Sequence, residues 1–252
     1  MILALTKDRN RTGFTLVELM LAMAFVSMLL LSITMTAIQA GRIYNRGMVL
    51  RTVNQSGRDI SDSIRRDFLQ TNATKITTPE GGSADSPVVV VEEGGSQISG
   101  RFCLGQYSYV WNTAETLDQK DLSNPSVVYT TDGGADKTSV SLVRVEDRDG
   151  QLCQRDISTS RYPSAINITS ATHLLTPIGA DDVVIAVHDM KITRMTDSDG
   201  SEQLYRIQFT LGTSEMSEIN TLDGTCKPPD DEQANADFCA INNFDMIVRT
   251  NG

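Results

Sequence analysis

The chain is 252 residues long, 40% hydrophobic and 21% charged, with a formal net charge of −10. That size and mix exclude a disordered or fibrous chain and suffice for a real core. The acidic balance argues against general binding of nucleic acid or anionic lipid.

The first thirteen residues form a short leader. It opens on Met1-Ile2-Leu3-Ala4-Leu5 and carries Lys7, Asp8, Arg9 and Arg11 before Gly13. An apolar run, Phe14 to Ala40, follows and holds a single charge, Glu18. As an α-helix this run is roughly 40 Å long, enough to span a bilayer with tilt. Leu, Met and Ala dominate it, and all three favour helix. The basic residues before it predict a cytoplasmic N-terminus with the bulk of the chain outside. A carboxylate within a membrane span is costly and points to pairing with another charge. A cleaved secretory signal is one alternative, but Ile38-Gln39-Ala40 offers no small-x-small site. A plain single-span anchor is another, and it leaves Glu18 unexplained.

Beyond the span, Ile43, Leu50, Val53, Ile60, Ile64 and Phe68 recur at steps of three, four or seven. Charged residues such as Arg42, Arg58, Asp62, Arg65 and Asp67 lie between them. The spacing predicts an amphipathic helix continuing over 41–72, so that one long helix runs from Phe14 to about Thr71. Its first half is apolar all round, and its second half can carry a domain.

After Thr71 the composition changes. Thr77 to Ser83 reads as a loop, and strand candidates follow at 86–92, 99–111, 127–131 and 138–146. Val183 to Met195 and Gln203 to Gly212 predict a hairpin across Asp197-Ser198-Asp199-Gly200. Tyr205, Ile207, Phe209 and Leu211 alternate with polar residues, the pattern of a half-buried strand. A last strand alternates Phe244, Met246 and Val248. The expected fold class is α+β, with an antiparallel sheet in a head over 73–252 packed on the second half of the long helix.

The four cysteines are Cys103, Cys153, Cys226 and Cys239, with no CxxC pair and only two histidines in the chain. Zinc ligation wants closer ligand pairs, so disulfides are favoured over a metal site, with four buried thiols as the alternative. Cys103 and Cys153 are expected in neighbouring strands. Cys226 and Cys239 enclose a polar insert unable to build a core. Glu146-Asp147-Arg148-Asp149-Gly150 and Asp197-Ser198-Asp199-Gly200 faintly match calcium loops but read better as turns. His188 and its neighbour Asp189 point to opposite faces of one strand and make no catalytic pair. Tyr107, Tyr109 and Trp111 read as packing residues rather than a binding surface. With no nucleophilic triad and no nucleotide loop, neither an enzymatic activity nor a cofactor is expected.

The junction Gly13-Phe14-Thr15-Leu16-Val17-Glu18-Leu19, continued by Met20-Leu21-Ala22-Met23-Ala24, resembles the class III signal of type IV pilins and type II secretion pseudopilins. The motif covers about the first forty residues; the remainder is similar to the family in layout. The resemblance implies that prepilin peptidase cuts after Gly13 and that Phe14 becomes the N-methylated first residue. It implies that Glu18 pairs with the terminal amine of a neighbouring subunit during assembly, and that the partners are other pilin subunits packed through the N-terminal helix. The Cys226–Cys239 loop looks like the C-terminal disulfide-bounded loop of many pilins. Length favours minor pilins of the PilW or PilJ kind, or GspJ-like pseudopilins, over a compact major pilin. Many major pilins also break the apolar segment with Pro or Gly; Phe14 to Ala40 has neither. The implied function is a structural subunit of a cell-surface filament, placed first in the inner membrane. The alternatives are a pseudopilin of a secretion or competence system and a membrane-anchored adhesin.

Overall fold

The computed structural model describes residues 13–76, 86–119, 121–134, 136–175, 183–196, 203–220, 224–228 and 238–250. Most of the expected leader, the loop expected over 77–83, the turn expected over 197–200 and the centre of the Cys226–Cys239 insert lie outside the described residues. The chain divides into two compact units at the Tyr44/Asn45 junction.

One helix, α1 (Leu16–Gln70, 55 residues), begins in the first unit and ends in the second. Its apolar part contains the stretch that is long and hydrophobic enough to cross a membrane, with a mean hydropathy of 2.4 and none of it buried within the chain. Three hydroxyls in that stretch bond back to the preceding turn: Ser27 donates to the Met23 carbonyl at 2.7 Å, Thr34 to Leu30 at 2.8 Å and Thr36 to Ser32 at 2.6 Å. Helix geometry and these back-bonds leave few polar groups facing outward, as a lipid environment requires.

The second unit opens with the rest of α1. Val49, Val53, Gly57, Ile60, Ile64, Asp67 and Phe68 are buried there and form its inward stripe. The stripe therefore starts at Val49, six residues later than the Ile43 that the sequence suggests, and takes Val49 in place of Leu50: Ile43 (74% exposed) and Leu50 (43% exposed) face outward. Burying each large aliphatic or aromatic side chain of the stripe contributes about 1.5–3 kcal/mol. A Cβ at Gly57 would fall inside the Phe244 ring, so glycine lets that ring lie against the helix backbone. The helix ends where Thr71 turns out of it, and Asn72 caps a short 3₁₀ turn, Ala73–Lys75.

The strands are β1 (Val89–Glu93), β2 (Ser96–Cys103), β3 (Tyr107–Asn112), β4 (Tyr129–Thr131), β5 (Thr138–Ser139), β6 (Leu142–Glu146), β7 (Ala165–Asn167), β8 (Ala171–His173), β9 (Ile185–Thr196), β10 (Gln203–Thr213), β11 (Ile219–Asn220), β12 (Thr225–Cys226) and β13 (Ile241–Arg249). A short helix, α2 (Ala114–Gln119), follows β3. Two antiparallel sheets dominate, ordered β1-β2-β3-β6-β8 and β13-β10-β9. A parallel bridge between Thr113 and Val187 joins them. Two minor sheets, β5-β4-β7 and β11-β12, complete the unit, and β4 pairs with β7 in parallel. The fold class is thus α+β, a long N-terminal helix packed on antiparallel sheets.

Two predicted strands are in fact pairs. The 99–111 candidate is the β2–β3 hairpin, turned at Gly105, whose φ of 83° suits glycine. The 138–146 candidate splits into β5 and β6.

The main core holds the α1 stripe together with Phe102, Tyr109, Trp111, Ile192, Ile207 and Phe209. Phe102 and Tyr109 stack with ring centroids 4.7 Å apart. Behind the five-stranded sheet lies a second cluster that includes Val110, Val128, Val143, Val145 and Ile166. The sheet is covered on both faces, so Ser108 to Asn112 of β3 are all buried. Asn112 is satisfied there: its amide donates to the Val128 and Val140 carbonyls at 2.7 and 2.9 Å and accepts from Val128 N–H at 2.8 Å.

Candidate functional site

The N-terminal site is built on the first turn of α1. Gly13 and Phe14 precede the helix, and Phe14 is 84% exposed. Thr15 caps it. The Thr15 hydroxyl accepts from the Glu18 N–H at 3.3 Å, and Glu18 Oε2 accepts from the Thr15 N–H and hydroxyl, both at 3.0 Å. This is a reciprocal capping box, with a carboxylate at the positive end of the helix dipole. Glu18 Oε1 takes no hydrogen bond among the described residues. The carboxylate is thus partly satisfied within its own chain. A Thr-x-x-Glu signature ahead of an apolar run is the sequence signal for this cap.

A second polar site ties α1 to the five-stranded sheet. Asp67 is 1% exposed. It accepts from Tyr109 Oη at 2.7 Å, Arg144 Nε at 2.6 Å and Arg144 Nη2 at 2.9 Å. The Arg144 guanidinium lies over the Tyr107 ring, 3.4 Å from its centroid. The Asp67 contact raises the Arg144 pKa, while burial and then the nearby Asp67 charge raise that of Tyr109. One turn on, the Thr71 hydroxyl reaches the Asp67 and Leu104 carbonyls at 2.7 and 2.9 Å. The two-pronged Arg–carboxylate contact fixes orientation as well as distance. Sequence reasoning placed Asp67 among solvated charges, because its partners lie 42 and 77 residues away.

Both disulfides are formed, Cys103–Cys153 with Cα atoms 6.2 Å apart and Cys226–Cys239 at 5.8 Å. Cys103 ends β2, but Cys153 lies in a 3₁₀ turn, Gln151–Cys153, and not in a strand. The first bridge therefore pins a loop to the end of β2, an interior strand of the five-stranded sheet. The second closes the polar insert and should contribute about 3 kcal/mol by restricting the unfolded chain. Accordingly, Cys226→Ser with Cys239→Ser is expected to lower stability by about that amount while the main sheets persist. Chemical denaturation followed by circular dichroism checks this; a loss below about 1 kcal/mol would mean the bridge only decorates the loop.

The Glu146–Gly150 segment is a turn. Asp147 accepts from the Ser108 hydroxyl at 2.8 Å and from Gln151 and Leu152 N–H at 3.0 Å, while Glu146 pairs with Arg148 at 2.8 Å. Among the described residues no group of His, Cys, Asp and Glu has the arrangement to hold a metal ion. His188 Nε2 faces the Thr213 carbonyl at 2.9 Å, and burial lowers its pKa. Tyr109 and Trp111 are core residues, and Tyr107 is half-buried beneath Arg144. The two sites that remain are therefore a capped, exposed apolar helix and a buried anchor holding its continuation to a β-rich domain. No protein-family model matches this chain, and neither does any curated protein or solved structure.

Proposed function

We propose that the chain is a structural subunit of a type IV pilus, a minor pilin, processed after Gly13 and assembled through the exposed part of α1. The observation that carries this reading is the apolar helix that follows Gly13-Phe14 and holds one carboxylate in its first turn. None of its large side chains from Phe14 to Tyr44 is covered by the chain's own fold. Such a surface is stable only in lipid or against other helices. A plain anchor needs the lipid alone. A subunit that leaves the membrane for a filament needs both in turn, and Glu18 gives it a charge to pair within the bundle.

On this reading the N-terminus lies in the cytoplasm before processing and the β-rich domain lies outside. The domain is large for a subunit that must stack many times, which favours a low-copy place at or near the filament tip. Its role there is structural, without catalysis or cofactor. Mass spectrometry of the protein recovered from membranes should find Phe14 as the first residue, N-methylated. An intact Met1, or a start near Gly41, would remove the pilin reading and leave a membrane-anchored binding module. Antibody to the β-rich domain should label few positions per filament; dense labelling along the shaft would make the chain a major subunit.

A further inference from the structure

Arg101 sits in β2, 1% exposed, beneath the 154–164 loop. Its Nη1 donates to the Leu152 carbonyl at 3.0 Å and the Pro163 carbonyl at 2.7 Å. Its Nε is buried with no partner, and among the described residues no carboxylate pairs with the guanidinium. Two carbonyl contacts account for one nitrogen of the group. They leave the charge itself uncompensated, and burying an unpaired charge is expensive. Burial accordingly pushes the Arg101 pKa down to about 10.

A cavity of about 320 Å³ opens above this group, lined by Arg101, Arg155, Arg161, Tyr162, Ser126 and Ser160, with Glu92 and Glu93 also on its wall. Arg101 and Arg155 each hold their guanidinium carbon 5.1 Å from the Tyr162 ring centroid. Arg161 is exposed and makes no ion pair among the described residues. The loop that brings these side chains together is itself constrained. Asp156 Oδ1 accepts from the Ser158 and Thr159 N–H groups at 2.8 and 2.9 Å and from the Ser158 hydroxyl. Ser160 takes φ 55°, a left-handed conformation unusual for a residue with a side chain. The Cys103–Cys153 bridge fixes the start of the loop. A cavity with a buried guanidinium in its wall and a left-handed residue beside it, on a chain of net charge −10, is a built feature rather than a solvated face.

We propose that this cavity binds a small oxyanion, a phosphate, sulfate or carboxylate group, held by the Arg101 and Arg161 guanidinium groups. The guanidinium fork matches such oxygens in pairs, and the ligand would supply the counter-charge that Arg101 lacks. Glu92 and Glu93 oppose the ligand and keep its affinity modest.

The test is calorimetric titration of the full chain in detergent micelles with inorganic phosphate and, separately, acetate, at ionic strength held constant with chloride. Saturable binding near 1 mM, on the order expected of a single exposed anion site, is the expected result. Phosphate and acetate distinguish a tetrahedral from a planar ligand, and saturation by either supports the site. Arg161→Ala, at an exposed position, should leave the fold intact and weaken binding about tenfold through the lost charge-assisted bonds. Glu92→Gln with Glu93→Gln should strengthen it severalfold, a gain that a purely structural role for the arginines would not produce. No saturation by either anion up to about 50 mM, or Arg161→Ala binding as tightly as the parent chain, would overturn the proposal.

Discussion

Asp67→Ala is expected to destabilise the second unit by about 3 kcal/mol, a large loss for a polar side chain. The substitution removes the acceptor of three hydrogen bonds at once. Tyr109 Oη is then buried without a partner, and Arg144 loses its counter-charge. Breaking a buried pair from one side typically costs about 3–5 kcal/mol. The lower end applies here because the Arg144 side chain is 24% exposed and can turn to water. For a domain of this size the midpoint of thermal unfolding should fall by about 6–12 °C. Replacing the network together, Asp67→Leu with Arg144→Met and Tyr109→Phe, should recover much of the loss, since it leaves neither an uncompensated charge nor an unpaired hydroxyl. A fall of under about 1 kcal/mol for Asp67→Ala would show that the network is a solvated surface contact and not an anchor.

The anchor also marks where sequence reasoning stops. Helical period alone gave the stripe Val53, Ile60, Ile64 and Phe68, because residues three and four apart must share a face. It did not give the choice of Val49 over Leu50. Both lie near the stripe's edge, and only the position of the sheet decides which is covered. Asp67 fits the stripe's spacing too, three residues after Ile64. Its charge argued for solvent, and the argument fails only because Tyr109 and Arg144 arrive from strands far along the chain. The hairpin of β9 and β10 was legible because Tyr205, Ile207, Phe209 and Leu211 face one core. In β3 that alternation is lost, since a second cluster covers the opposite face. Arg101 is invisible for the same reason: a strand arginine reads as exposed until a loop closes over it.

If the chain is the filament subunit proposed above, Glu18→Ala should leave membrane insertion intact and reduce incorporation into filaments by more than about tenfold. On the proposed function two roles meet in this carboxylate, and they separate by substitution. As a cap it receives the Thr15 N–H and hydroxyl, a contact worth about 1 kcal/mol of helix-end stability. As a charge in the proposed bundle of subunit helices it would need a cation, and a lost partner there would cost several times more. Thr15→Val removes the hydroxyl and keeps the charge, so it should fray the first turn and permit incorporation near the parent level. Glu18→Gln keeps an acceptor for the Thr15 donors and removes the charge, so it should fail as Glu18→Ala does. Counting each variant in purified filaments against its level in membranes makes the comparison. If Glu18→Gln enters filaments as readily as the parent chain while Thr15→Val does not, the residue acts as a helix cap, and charge pairing between subunits is not what its position serves.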